Sequence, residues 1–224
     1  MEPNNLTYPT RSWWREWPVV LALLAPFVTL AIVWPSLPAR VPMHFDANGN
    51  VNRYGSPLEL LVLPGISVLV SIVLYFIPRL DPKKANIMAS MPAYRWIRFE
   101  LAVFFTYIFA LMLATMFQPN FDATPLIAFG VLSLFFGIGF MMPKLKQNYM
   151  IGIRLPWTLE SEDNWNRTHA FAGRLWPWGA VVGMILVALF PSISLFIAVS
   201  VLIALLLWTG VYSYRMFHEE KKLG

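Results

Sequence analysis

The chain has 224 residues, of which 58% are hydrophobic and only 13% are charged. Soluble domains carry about twice that share of charged residues, so composition excludes an ordinary soluble protein. Cysteine is absent, which excludes a disulfide framework and a thiolate metal site, and the distribution of the net charge of +5 suggests no direct nucleic-acid partner.

Six apolar segments approach the length of about 20 residues that a helix needs to cross a bilayer. They are Pro18–Trp34, Leu60–Ile77, Leu101–Phe117, Pro125–Met142, Leu175–Phe190 and Ile193–Tyr214. The fifth is short, and we expect it to continue a helix that starts in the preceding loop. Only Pro191 and Ser192 separate the last two segments, which predicts a tight hairpin. The predicted fold class is an all-α integral membrane bundle of six transmembrane helices.

The distribution of Lys and Arg predicts the orientation of this bundle. Arg40 and Arg53 lie in the first loop, whereas the other 15 of the 17 cations fall in the terminal segments and in the second and fourth loops. Cytoplasmic segments carry the excess of Lys and Arg. We therefore expect both termini to be cytoplasmic, in a multi-pass membrane protein with the first loop outside.

Tryptophans and glutamates cluster near the proposed span ends. Nine of the ten tryptophans fall near inner boundaries, which is typical of an anchoring belt at the headgroup level. Glu59 and Glu100 are placed at span ends, where they are expected to reach water. The span interiors then hold no ionisable side chain, which disfavours a pump, a coupled transporter or an intramembrane enzyme. Small residues at helical spacing, such as Gly179 and Gly183, favour close helix packing, within the chain rather than between copies.

The first loop has the pattern of a small ordered hairpin. Val41–Phe45 is a predicted strand, residues 46–49 form a turn that ends in Asn48-Gly49, and residues 50–54 return. His44 and Arg53 would then lie on neighbouring strands. This arrangement is consistent with a ligand-docking surface, or with a His44 that merely shapes the loop. The candidate ligand-binding residues are His44, Phe45, Asn48, Gly49, Arg53 and Tyr54.

The fourth loop contains a helix start and a cluster of polar and aromatic residues. Gly152 and Pro156 interrupt any helix after the fourth span, and Thr158 or Ser161 is expected to cap the next one. Trp165, His169 and Trp176 recur at helical spacing, which predicts an interfacial helix leading into the fifth span. The candidate residues for partner binding or for structure are Asn148, Gly152, Arg154, Pro156, Trp157, Trp165, Thr168 and His169.

Both loops resemble known bacterial membrane proteins. The fourth loop, with Gly152-Ile-Arg-x-Pro-Trp-Thr-Leu and Trp165-x-x-Thr-His-x-Phe-Ala-Gly, resembles the SdpI-type immunity and signalling proteins. The first loop, Leu37-Pro-x-x-Val-Pro-x-His-Phe-x-x-x-Gly followed by Arg53-Tyr-Gly, is similar to a domain of unknown function that is often joined to them. This similarity predicts an N-terminal domain with two spans over residues 1–80 and an SdpI-like domain with four spans over residues 81–224.

The resemblance implies that this membrane is a bacterial plasma membrane. It also implies protection against a secreted peptide toxin and, in some members, capture of a cytoplasmic transcriptional repressor. The expected partners are the lipid bilayer, an antimicrobial peptide outside and a repressor inside. Two alternatives stay open: a passive transporter or exporter of a small or lipid-like solute, and a structural envelope protein. No nucleophile–base pair or cluster of metal ligands is evident, so no enzyme activity, cofactor or metal is expected.

Overall fold

A computed structural model describes residues 13–45, 51–118 and 121–223. Six of its helices are long and apolar enough to cross a membrane. They are α1 (Trp17–Val33), α2 (Val62–Leu80), α4 (Met91–Phe117), α5 (Thr124–Met141), α7 (Glu162–Leu189) and α8 (Ser194–Leu223), with short helices α3 (Lys84–Ala89) and α6 (Pro156–Glu160) between them. The predicted all-α membrane bundle is confirmed, and each of the six expected spans lies on one of the long helices.

Two helices begin much earlier than the apolar segments that predicted them. Helix α4 starts at Met91 rather than Leu101, and α7 runs unbroken from Glu162 through the fifth span. The prediction that the fifth span continues a helix from the preceding loop is therefore confirmed. Ser161 caps α7 by accepting a hydrogen bond from the Asn164 amide at 3.0 Å.

The bundle is held together by α4, α5, α7 and α8, with α1 and α2 packed on α4. Gly183 of α7 faces Leu132 of α5, where an added Cβ would come within 2.9 Å of the leucine side chain. Gly179 likewise faces Leu205 of α8. Both glycines of this pair thus bring helices of the same chain together, as expected for packing that relies on close backbone approach.

The first loop folds into the predicted hairpin. Strand β1 (Val41–Phe45) pairs antiparallel with β2 (Val51–Gly55), and the register is irregular on both sides of His44. The predicted turn, with Asn48 and Gly49, lies outside the described residues. Val41 is fully buried against Leu30 of α1 and Phe109 of α4, so the outer hairpin (residues 41–55, named for its predicted side) is anchored on the helix ends.

The tryptophans divide into two groups. Trp17, Trp96, Trp178 and Trp208 are exposed on the helix surfaces, as an anchoring belt requires. Trp165 and Trp176 are instead buried, and their indole nitrogens donate to the Leu145 carbonyl at 2.8 Å and to Thr209 Oγ1 at 3.0 Å. The predicted helix leading into the fifth span is present, but these two side chains pack inside the protein, because the start of α7 is covered by the fourth loop and by α8.

The expectation that Glu100 lies at the end of a span is wrong. Because α4 begins at Met91, Glu100 lies well inside a spanning helix rather than at its end. Its carboxylate lies against Gly137 of α5, and Oε2 is buried. Glu100 therefore places a partly buried carboxyl group between two of the spanning helices.

Candidate functional site

The outer hairpin presents polar side chains to solvent. His44 and Arg53 are cross-strand partners, as predicted, and both are exposed. His44 Nδ1 lies 2.6 Å from Asn52 Oδ1, and Arg53 NH1 donates to Glu59 Oε2 at 2.8 Å. Tyr54 is 53% exposed. Four side chains of the hairpin, those of His44, Asn52, Arg53 and Tyr54, are thus exposed and available to a ligand.

Arg53 also has a structural role at the start of the second span. Ser56 and Glu59 form a capping box, in which Leu58 N donates to Ser56 Oγ and Ser56 N donates to Glu59 Oε1 at 2.9 Å. Gly55 provides the room for the Glu59 carboxylate, since an added Cβ would overlap it. Arg53 thus ties the hairpin to the capped helix start, and its guanidinium is already engaged on one edge.

A cavity of about 270 Å³ lies beside the outer hairpin. Met43 of β1 forms one wall, and the other walls come from the ends of α4 and α5 and from Leu195 of α8. Asp122 lies at its edge, where its Oδ1 accepts from Thr124 N at 2.9 Å. The lining is otherwise mostly apolar: Met43, Ile108, Leu111, Met112, Thr115, Phe121, Ala123, Thr124, Ile127 and Leu195. Sequence reasoning missed this cavity because its residues come from four separate segments.

The fourth loop, here the inner loop (residues 145–161), is folded by its own polar residues. Asn148 is 1% exposed; its Nδ2 donates to two loop carbonyls, and its Oδ1 accepts from Met150 N and Ile151 N. Thr158 Oγ1 accepts from Leu155 N at 2.9 Å. Of the two proposed caps, Ser161 therefore serves α7, whereas Thr158 closes the short turn of helix α6 around Pro156.

His169 and Gly152 form the contact between this loop and α7. Gly152 has φ +114°, and an added Cβ would lie 2.6 Å from His169 Nε2. The Ile153 amide donates to that nitrogen at 3.0 Å, so Nε2 is the acceptor and Nδ1 carries the proton that the Trp165 carbonyl accepts at 2.8 Å. The imidazole stacks on Trp165 with ring centroids 4.0 Å apart. Both polar atoms of His169 are thus used within the fold.

Ser213 of α8 joins a second buried network. Its Oγ accepts from Trp157 Nε1 at 2.9 Å and from Thr168 Oγ1 at 2.7 Å, and it donates to Asn164 Oδ1 at 2.9 Å. Ser213, Thr168 and Asn164 are all fully buried or nearly so. The motif residues Trp157 and Thr168 thus hold the inner loop and α7 against α8.

The inner loop exposes both basic and acidic side chains, namely Lys146, Arg154 and Glu160. Arg154 is exposed and donates to the Tyr149 carbonyl at 2.9 Å, and Tyr149 is itself 43% exposed. Lys83 lies over the Tyr149 ring at 5.7 Å. Of the eight candidate residues, the structure leaves Arg154, Pro156 and part of Trp157 at the surface and buries Asn148, Trp165, Thr168 and His169. Gly152 is half-buried against His169.

The loop after α2 braces the inner loop from below. Asp81 is buried, and its carboxylate accepts from Lys83 N at 2.6 Å and from Tyr149 N at 2.8 Å. Gln147 Nε2 donates to the Thr158 carbonyl at 2.8 Å, and Asn86 Nδ2 donates to the Gln147 carbonyl at 2.7 Å. The second and fourth loops therefore form one hydrogen-bonded layer on the same side of the bundle.

Two family models match separate parts of the chain. Residues 144–213, which include most of the inner loop and both helices that it contacts, match the SdpI/YfhL protein family. Residues 21–68, which include the outer hairpin, match the domain of unknown function DUF1648. Two parts of this chain, on a fold with six helices long and apolar enough to cross a membrane, are thus similar to the SdpI/YfhL family and to DUF1648.

Two relatives give the extent of the similarity. The chain is 22% identical over 206 residues to the immunity protein SdpI of Bacillus subtilis (strain 168), covering 92% of this chain and 95% of that protein. It is 32% identical over 80 residues to an uncharacterized protein of Archaeoglobus fulgidus, covering 36% of this chain and 43% of that protein. No solved structure matches the chain.

Proposed function

We propose that this protein protects its cell against a secreted peptide toxin and that the outer hairpin and its adjoining cavity contact the toxin. The proposal is carried by similarity to an immunity protein along nearly the whole of both chains. The cavity supports it, because an apolar side chain of an amphipathic peptide could enter between Met43 and the helix ends. His44, Tyr54 and Asp122 would contact the polar part of the peptide from the rim.

This proposal rests on the topology that the distribution of cations predicts, with the hairpin outside and both termini in the cytoplasm. On the opposite side, the layer formed by the second and fourth loops presents a basic and aromatic surface made of Arg154, Tyr149 and Lys83. We include in the proposal that this surface docks a cytoplasmic repressor when toxin is bound. Two proposed domains, residues 1–80 and 81–224, would then divide the work, although helices from both pack on one another.

The test is survival of a toxin-sensitive strain. A Bacillus subtilis strain that lacks its own SdpI would express this chain and grow in co-culture with its parent strain. We expect the chain to restore growth, and Thr115→Phe to abolish that effect because the larger side chain fills the cavity. Thr115→Val is the matched control, since it keeps the shape of the side chain and leaves the cavity open.

The membrane level of each variant is measured by immunoblotting. Protection by Thr115→Phe at a normal membrane level would remove the cavity from the proposed site. Absence of protection by the unaltered chain at a normal membrane level would contradict immunity of the SdpI type.

A further inference from the structure

A second cavity, of about 520 Å³, lies between α4 and α5. Its walls include Val103, Phe104 and Tyr107 of α4 and Gly130 and Ser133 of α5. Val103 is 42% exposed, so this α4–α5 groove opens on the side of the bundle, where the bilayer lies. It is separate from the outer cavity and has no part in the proposed function.

Glu100 places a carboxyl group in this apolar groove. The side chain lies over Gly137 of α5, and a Cβ added to that glycine would overlap the carboxylate. Among the residues that the structure describes, no donor bonds to Oε2, although this oxygen is buried. The nearest cation along the helix, Arg98, is engaged elsewhere, because its NH1 donates to Glu16 Oε2 at 2.6 Å. A carboxylate without a counter-ion is costly inside a membrane and usually marks a functional position.

The polar atoms of the groove are arranged to accept hydrogen bonds. Tyr107 already donates its hydroxyl proton to the Leu126 carbonyl at 2.8 Å. Ser133 Oγ is 3.8 Å from Met184 Sδ, a weak contact that leaves the oxygen able to accept. With a carboxylate as the one charged lining group, the site fits a cationic donor and repels phosphates and fatty acids.

We propose that the α4–α5 groove binds a long-chain primary amine, with its ammonium group on Glu100 and its hydrocarbon chain along Val103, Phe104 and Gly130. A metal ion fits less well, because no cluster of three His, Asp or Glu side chains exists among the described residues. An aminophospholipid also fits less well. Its ammonium group carries a phosphate nearby, and no Lys or Arg lines the groove to pair with it.

Binding of radiolabelled dodecylamine to the full chain in phosphatidylcholine nanodiscs tests this assignment. Nanodiscs without protein supply the background, and dodecanol supplies the same hydrocarbon chain without charge. We expect saturable binding of the amine that is at least about ten-fold tighter than that of the alcohol, the scale of one charge-assisted hydrogen bond. Glu100→Gln should weaken amine binding by about ten-fold and leave alcohol binding unchanged.

A second variant tests the groove while the carboxylate stays in place. Ser133→Leu fills the groove and should also weaken amine binding by about ten-fold or more. The matched controls are Glu162→Gln, which removes an exposed carboxylate at the start of α7, and Ser200→Leu on an exposed position of α8. Both should bind the amine as the unaltered chain does.

Equal amine binding by the unaltered chain and Glu100→Gln would overturn the proposal, since the carboxyl group would then make no contact with the amine. Loss of dodecylamine binding in nanodiscs of phosphatidylethanolamine, but not of phosphatidylcholine, would show that a lipid headgroup occupies the groove and would overturn the assignment to a free amine. Neither outcome bears on the toxin assay.

Discussion

The outer hairpin and the segment where the inner loop meets α7 both carry polar and aromatic motif residues, but the hairpin exposes them and the other segment buries them. In the hairpin, His44, Arg53 and Tyr54 are exposed; His44 contacts Asn52, and Arg53 donates to Glu59, both near neighbours along the chain. At the start of α7, Trp165, Thr168 and His169 are buried, and their partners lie on the inner loop, on α7 itself and on α8. Motif residues of a membrane protein can thus be exposed and available to a partner, or buried and bonded within the fold. Their burial distinguishes the two cases.

The largest expected effect comes from Gly152→Ala in the inner loop. The left-handed φ of +114° and the contact with His169 Nε2 would together destabilise the fold by about 3 kcal/mol. For a chain of this size, that lowers Tm by roughly 6–12 °C, measured by tryptophan fluorescence of the purified protein.

Gly65→Ala in α2 is the matched control for this substitution. An added Cβ at Gly65 meets nothing within 4 Å, and alanine favours the helix. Its Tm should be unchanged or slightly raised. A Gly152→Ala protein as stable as the Gly65→Ala protein would show that the inner loop is not a rigid clamp.

A smaller effect is expected for Ser213→Ala in α8. The change leaves Trp157 Nε1 without its acceptor and removes one bond each from Thr168 and Asn164, all in a buried site. Such a loss costs about 1–3 kcal/mol. Ser200→Ala, at an exposed position of the same helix, should leave Tm unchanged.

Heating scans of both serine variants in the same detergent would decide this point. If Ser213→Ala melts with the unaltered protein, the network contributes no net stability, and its motif residues are free to serve another purpose.

The smallest effect on stability is expected in the outer hairpin. Arg53 and Glu59 form an exposed ion pair, so replacing His44 and Arg53 together by alanine should cost about 1 kcal/mol or less. Under the proposed function, the same double variant loses toxin protection at an unchanged membrane level. Co-culture survival and immunoblotting measure the two properties separately.

Arg154→Ala is the matched control on the other side of the bundle. It removes an exposed cation and should keep toxin protection. If Arg154 belongs to the proposed docking surface, the same variant should release the repressor from the membrane fraction. Survival of cells with the hairpin double variant would place the toxin contact elsewhere and would leave the outer hairpin as a cap on α1, α2 and α4.

Much of the site geometry followed from local pattern. A strand over Val41–Phe45, a turn that ends in Asn48-Gly49 and a return over residues 50–54 predicted both strands and the pairing of His44 with Arg53, because a short hairpin depends mainly on neighbouring residues. The two candidate caps, Thr158 and Ser161, likewise predicted a helix start in this segment, and Ser161 is the one that caps α7. The position of Glu100 between α4 and α5 was not predictable in this way, because α4 extends beyond the predicted apolar segment as far as Met91.

The sequence by itself determined the class of protein. Six apolar segments of sufficient length belong in a bilayer, and there each segment can satisfy its own backbone hydrogen bonds as a helix. Tertiary structure alone decided which motif residues are internal. His169 accepts from Ile153, and Ser213 joins Trp157 to Asn164, because α7 and α8 bring groups far apart in the chain into one buried layer. It also decided that Glu100 faces a groove, since the space over Gly137 exists only when α4 and α5 pack together.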